Sequence, residues 1–207
     1  MFYRPKDGHG LPHNPFNAIV TPRPIGWISS QDKDGNVNLA PYSFFNAVAY
    51  TPPQVMYAST GPHVDGGMKD SALNIEETGE FVINIVTASL MDKMNLSCVA
   101  APRGIDEFEL AGLTKAASSI VKPPRVGESP IQLECKYTQS VRLKTDNPDD
   151  PNIVIFGEVV GIHIDESVLT DGMVDIAKLR PLSRLGYMDY TIIEESFVLR
   201  RPNWPLS

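Results

Sequence analysis

The stretch TPRPIGWISSQDKDGNVNLAPYSFFNAVAYTPP, residues 21–53, decides how this chain is read. Prolines and glycines punctuate it, and between them run apolar and β-branched residues of strand character. IGWISS (25–30) reads as one strand, DKDG (32–35) as a turn and residues 36–39 as the return, so the two runs form a hairpin. Past the hairpin, NLAPYSFFN (38–46) is dense in aromatics and hydroxyls around Pro41. Proline gives no amide to a ladder. Tyr42, Ser43, Phe44 and Phe45 thus carry backbone N–H groups in a segment that need not pair as a regular strand, and such groups can serve a ligand's carbonyls and ring nitrogens.

Working outward, QVMYAST (54–60) and EFVINIV (80–86) are further strands, and SFVL (196–199) closes the set. Residues 131–145 and 153–165 flank TDNPDDPN (145–152), which reads as an acidic hairpin loop. Both runs exceed an ordinary strand, which predicts bends or bulges. Helices are short and peripheral. One spans 69–78 before Gly79, a fitting C′ glycine. A second spans 90–100, opened by the capping-box spacing of Ser89 and Asp92. A third spans 105–111 before Gly112, and a fourth 170–179. Many strands with few helices predict a mainly β fold, a closed or partly closed antiparallel barrel.

The 207 residues suit a single domain, 1–207, with a Gly/Pro-rich N-terminal arm over 1–16. A net charge of −7 argues against nucleic-acid binding, which needs a basic footprint, but leaves room for a local anion pocket. The two cysteines, Cys98 and Cys135, form no C-x-x-C pair and are expected as reduced thiols of a cytoplasmic protein. MFYRPKDGHG has no signal-peptide apolar region, and no run is long enough to expect a membrane span.

Several chemistries lack their residues. GHGLPH at Gly8 has no third glycine and no preceding strand, so it is not a dinucleotide fingerprint. Gly61 and Gly66 have phosphate-loop spacing, but Gly67 stands where the lysine belongs. The glycine-rich turn with Lys69 at a helix start still makes a local anion site. His9, His13, His63 and His163 have no metal-ligand spacing, so no metal is expected, and His163 in its alternating strand reads as structural. No G-x-S-x-G elbow is present.

What remains is a cluster of polar and aromatic groups. The hydroxyls of Ser29, Ser30, Ser43, Ser59 and Thr60 suit a polyol chain or phosphate. Lys69 and the amides of its helix suit phosphate oxygens, and Trp27, Tyr42 and Phe44 offer stacking or edge contacts. Spacing alone favours a blander reading in which the aromatics fill a core and the serines end strands.

RPIGWISSQDKDGNVNLAPYSFFNAVAYTPPQVMYAS, then KDSALNIEETGEFVIN, then LRPLSRLGYMDY, in that order, resemble the flavin reductase-like, FMN-binding split-barrel family over about residues 16–190. The resemblance implies a six-stranded antiparallel Greek-key split barrel with short peripheral helices. It implies a homodimer with FMN near the subunit interface. Position by position, Trp27, Ser29 and Ser30 lie on a flavin-side strand. Ala40, Pro41, Tyr42, Ser43 and Phe44 form the loop lining the ring system. Ser59, Lys69, Asp70 and Ser71 lie near the phosphate end, with Asp70 capping the helix rather than touching phosphate. Arg184 is a basic group close to the flavin. The sequence departs from the N-S-F-T-S loop of the short two-component reductases, having P-Y-S-F-F-N there. The implied activity is NAD(P)H-dependent reduction of FMN with electrons passed on to a protein or small-molecule acceptor. The alternatives are an FMN-binding electron carrier reduced by a protein partner, and a binding module without redox chemistry. Flavin carries the chemistry, so no catalytic acid or base is expected. The His9–Phe16 arm or Tyr187 is a candidate cover for the site.

Overall fold

The computed structural model describes residues 1–204. The end of the expected domain 1–207, residues 205–207, lies outside the described residues. After a 3-10 turn at Pro5–Asp7 the chain forms a turn of helix, α1 (Phe16–Ile19), and then β1 (Arg23–Pro24), β2 (Gly26–Gln31), β3 (Val37–Tyr42), β4 (Phe45–Tyr50) and β5 (Pro53–Thr60). Helix α2 (Asp70–Thr78) leads into β6 (Glu80–Ile85), and α3 (Met91–Leu96) and α4 (Glu107–Leu110) follow. The small pair β7 (Lys115–Ala116) and β8 (Arg125–Val126) precedes the long strands β9 (Ile131–Arg142) and β10 (Asn152–Ile164). The pair β11 (Leu169–Thr170) and β12 (Met173–Val174), helix α5 (Ile176–Leu179), β13 (Leu182–Arg184) and β14 (Tyr190–Ile192) complete the set.

Seven strands form the main sheet in the order β3-β2-β6-β9-β10-β5-β4, every pair antiparallel. The two strands at its edges, β3 and β4, are consecutive and separated by Ser43 and Phe44 alone. Residues 37–50 are therefore one run broken in the middle. One half pairs with β2 and the other with β5, which closes six runs of chain into a barrel. The expected hairpin β2–β3 forms about the turn at Asp32, whose carboxylate accepts from the amides of Asp34 and Asn36 at 2.9 and 2.8 Å. The expected irregularities in the long strands are register shifts at Phe156/Gly157 and Val159/Gly161. Gly157 is required at the first: a Cβ there would lie 2.5 Å from the Phe81 ring.

Two cores explain the pattern of the opening stretch. Inside the barrel, Ile28, Val55, Tyr57, Phe81, Ile83, Ile153 and Ile155 pack together. Outside it, Trp27, Leu39, Leu90, Met94, Phe108 and Leu182 form a second core beneath α3 and α4. Strand β2 is covered on both faces, so IGWISS is uninterruptedly buried rather than alternating.

Three expectations are corrected. Residues 196–199 form no strand; Phe197, Val198 and Leu199 are each 86% exposed. The helix expected over 90–100 stops at Leu96, and no side chain caps its start, because the Ser89 hydroxyl lies 3.0 Å from Thr87 Oγ1 instead. Residues 170–179 divide into the β11–β12 turn and the single turn α5, capped by Asp175. Helix α2 ends as expected, with Gly79 left-handed at φ 77°. No helix among the described residues is long and apolar enough to cross a membrane.

Candidate functional site

Breaking the run 37–50 leaves Ser43 and Phe44 in neither ladder, and a cleft of about 500 Å³ opens beside them. That volume is in the range of small-molecule sites, roughly 300–1,000 Å³. Ala40, Pro41, Tyr42, Ser43 and Phe44 form one wall. Phe44 is anchored by its carbonyl, which accepts from the Ala58 amide at 2.8 Å. Tyr42 is buried, which pushes its hydroxyl pKa up, while hydrogen bonding to Ser71 and Ser59 pulls part of that back.

At one end the cleft meets the start of α2. Lys69 stands at the N-cap, and the helix supplies amides that have no partner within it. Burial lowers the Lys69 pKa, and the Asp150 carboxylate offsets part of the fall. The approach, residues 61–69, turns on Gly61, Gly66 and Gly67, all at positive φ. Asp70 does not cap α2 as expected, since the N-cap position is Lys69 and no side chain caps the helix; its carboxylate instead pairs with Arg103 and lies 3.6 Å from His63 Nε2. Arg103 also donates to the carbonyls of Gly66 and Met68 at 3.0 and 2.8 Å, so it fastens the glycine turn to the segment after α3.

The opposite end is built from two arginines. Arg23 and Arg184 face each other in the β1–β13 register. Arg23 is buried. It donates to the carbonyls of Asn17 and Val20 and, at 3.3 Å, to Ser43 Oγ. Burial and then the Arg184 charge lower its pKa. Arg184 donates to the Tyr190 hydroxyl and the Tyr187 carbonyl and lies over the Tyr190 ring, 4.4 Å from its centre.

A buried carboxyl also reaches the lining. Glu107 Oε2 accepts from the Leu39 amide at 2.9 Å and from Asn38 Nδ2 at 3.1 Å. Burial raises its pKa, and these donors pull against that.

Of the expected site residues, Ala40, Pro41, Tyr42, Ser43, Phe44, Lys69, Asp70, Ser71 and Arg184 share this lining. Trp27, Ser29, Ser30 and Ser59 do not reach it. Packing on both faces of β2 takes up the first three. Trp27 Nε1 donates to Ser97 Oγ at 2.9 Å, Ser29 Oγ donates to the Pro124 carbonyl at 2.5 Å, and Ser30 Oγ accepts from Asn74 at 3.2 Å. Ser59 is buried and faces Ile153 in the β5–β10 register. Sequence reading missed Arg23, Asn38 and Glu107, and treated Ser97–Ala100 as helix rather than wall. Only Arg23 left a signal, the R-P pair before a strand. The N-terminal arm supplies Asn14 and α1 supplies Asn17 to the lining, and the His13 ring of the arm meets Tyr187 edge-on at 5.8 Å.

Residues 19–183 match the family described as flavin reductase like domain. An uncharacterised protein of Aquifex aeolicus (strain VF5) is 40% identical over 170 residues, 82% of this chain and 83% of that one. Among solved structures, nitrilotriacetate monooxygenase component B from Bacillus cereus is 30% identical with a TM-score of 0.82, covering 93% of this chain and all of that one. The 2-nitrobenzoate 2-nitroreductase of Pseudomonas fluorescens is 28% identical with a TM-score of 0.79, covering 93% and 91%.

Proposed function

Because this chain belongs to the flavin reductase like domain family, we propose that it binds FMN in the cleft and passes electrons from NADH or NADPH through it to an acceptor. One observation carries the reading. A single cleft joins a half-buried lysine at a helix N-terminus to a wall, residues 40–44, in which Ser43 and Phe44 lie outside both ladders. The donor set fits the cofactor: a cation with helix amides for a phosphate, an apolar and aromatic face for a flat ring, and main-chain groups for its polar edge.

When bound, FMN supplies the hydride and electron transfer. The chain's part is to hold and shield. Lys69 and the amides of Asp70 and Ser71 bind phosphate oxygens by charge-assisted hydrogen bonds. Ala40, Pro41 and Phe44 cover a ring face, and the amides of Ser43 and Phe44 donate to its carbonyls and nitrogens. Positive charge at Arg23 and Arg184 favours an electron-rich ring. The N-terminal arm keeps water from one side of the cleft. Ser29, Ser30, Trp27 and Ser59 take no direct part and instead brace the strands behind the wall.

A homodimer belongs to the same reading. Phe197, Val198, Leu199 and Trp204 lie 86–88% exposed on the extended C-terminal segment, an apolar surface that a second copy would cover. Two free thiols, Cys98 and Cys135, suit a reducing cytoplasmic setting.

The test is titration of the purified chain with FMN, followed by anaerobic addition of NADH and, separately, NADPH. Bleaching within seconds is the expected result. Binding without bleaching over minutes favours the electron carrier reduced by a protein partner. Failure to take up FMN removes both readings.

A further inference from the structure

Two like charges facing across a strand pair destabilise it. Arg23 and Arg184 do so with Arg23 only 8% exposed, where water screens little. Among the described residues neither has a carboxylate within 4.0 Å, and the arginine ion pairs use other side chains. Arg23 Nη2 and Arg184 Nε donate to no acceptor among these residues. In a chain of net charge −7, this is a place built to receive a negative group.

Three further features define the group. A recess of about 120 Å³ opens at Arg184, lined also by Ile25, Pro41, Ser43, Met94, Cys98 and Tyr190; Arg23 is off this lining and meets it through Ser43 Oγ, to which it donates at 3.3 Å. It is large enough for a few heavy atoms, since one water's share of liquid is about 30 Å³. Both guanidiniums lie beside aromatic rings, Arg23 5.5 Å from the centre of Phe44 and Arg184 4.4 Å from that of Tyr190. Tyr187, on the lining of the larger cleft, holds a left-handed backbone at φ 54°, costly for a bulky side chain and characteristic of functional positions.

We infer that Arg23 and Arg184 form a subsite for the carboxylate of a small planar organic acid, taken up beside FMN. The inference rests on the FMN reading above. FMN carries one phosphate, and the Lys69 end has the helix N-terminus and glycine turn that suit it. The arginine end offers planar forks, which match a carboxylate two donors at a time, and flat rings for the body that bears it.

The experiment compares benzoate with its neutral isostere benzamide on the FMN-loaded protein. Binding is read from the visible flavin spectrum and from broadening of the ligand's proton resonances. Benzoate is expected to bind at least tenfold tighter than benzamide and to persist at saturating FMN. Arg184→Gln is expected to abolish the difference, and Arg184→Lys to keep part of it. If Arg184→Gln does not fold, the comparison on the unaltered chain and on Arg184→Lys decides. Equal affinity for the two probes overturns the proposal, as does mutual exclusion of benzoate and FMN, which would give the arginines to the flavin. Line broadening needs no flavin. A chain that prefers benzoate but takes no FMN therefore fails the FMN reading while retaining the anion subsite, so the two failures are separable.

Discussion

The Ser71 hydroxyl donates to Asn38 Oδ1 at 2.7 Å, so the first turn of α2 is latched to barrel strand β3. Asn38 turns its amide the other way, to the buried Glu107 carboxyl at 3.1 Å. One side chain thus joins a strand, the helix that carries Lys69 and the single turn α4. Asn38→Ala is expected to strip a donor from Glu107 and an acceptor from Ser71. Leaving such buried groups unpaired costs about 1–3 kcal/mol. Urea denaturation measures this. A loss under about 0.5 kcal/mol, the level of an ordinary surface substitution, would mean that the latch carries no load.

A second carboxylate, on β9, organises the loop 119–121. Glu134 is fully buried and accepts from the amides of Ser119, Ile120 and Val121 at 2.7, 2.6 and 3.0 Å, and it lies 2.5 Å from His163 Nε2. Burial raises its pKa, but these donors outweigh burial and hold it at about 2, below the ordinary 4.5. A depressed folded pKa means stability that is complete above the unfolded value and is lost as pH falls toward the folded one. The contribution is on the order of 3 kcal/mol and should drain away between about pH 5 and pH 2. Glu134→Gln is expected to flatten that part of the stability-against-pH curve, measured by denaturant titration at each pH. An unchanged slope would locate the acid sensitivity elsewhere.

How much of this was legible depended on whether the physics was local. The β2–β3 hairpin, helix α2 with its glycine stop, and the bulges of β9 and β10 follow from turn chemistry and run length. Barrel closure was legible only as a class, because Ser43 and Phe44 break a strand through pairings with β2 and β5 that lie far apart in sequence. The wall 40–44 and Lys69 could be found because their motifs are contiguous. Arg23 meets Arg184 across 161 residues, and Glu107 sits in DEFEL, which looks like a solvated helix. Trp27, Ser29 and Ser30 lie off the cleft lining for a related reason. A strand covered on both faces has the same residues as one facing a ligand, and only the tertiary cover from α3 and the Pro124 loop distinguishes the two.

The two thiols should respond differently to alkylation. Cys135 is fully buried, and burial raises its pKa, so it should remain unlabelled by N-ethylmaleimide until the chain unfolds. Cys98 lines the cleft. It is exposed, unlike Cys135; crowding around its sulfur raises its pKa, with Arg184 offsetting part of the rise, so it should label in the folded protein, well ahead of Cys135. If FMN occupies the cleft, it should slow Cys98 labelling by roughly tenfold or more through lost access. Mass spectrometry of the labelled peptides follows both sites at once. Equal Cys98 rates with and without saturating FMN would place the flavin elsewhere.

Lys69 offers the most direct test of the phosphate end. Its ammonium is half buried at the mouth of α2, and burial already works against its charge, so an anion that restores that charge gains more than it would at the surface. A charge-assisted hydrogen bond is worth about 1.5–3 kcal/mol, so Lys69→Ala should weaken FMN roughly ten- to a hundredfold. Riboflavin lacks the phosphate, and its affinity should change by less than about threefold, within an ordinary packing effect. Fluorescence titration of both ligands against both proteins gives the four constants. An equal loss for riboflavin would show that Lys69 acts on the ring or on the fold of the glycine turn. No loss for either would move the phosphate away from α2, and the arginine pair would then be the remaining cationic end of the cleft.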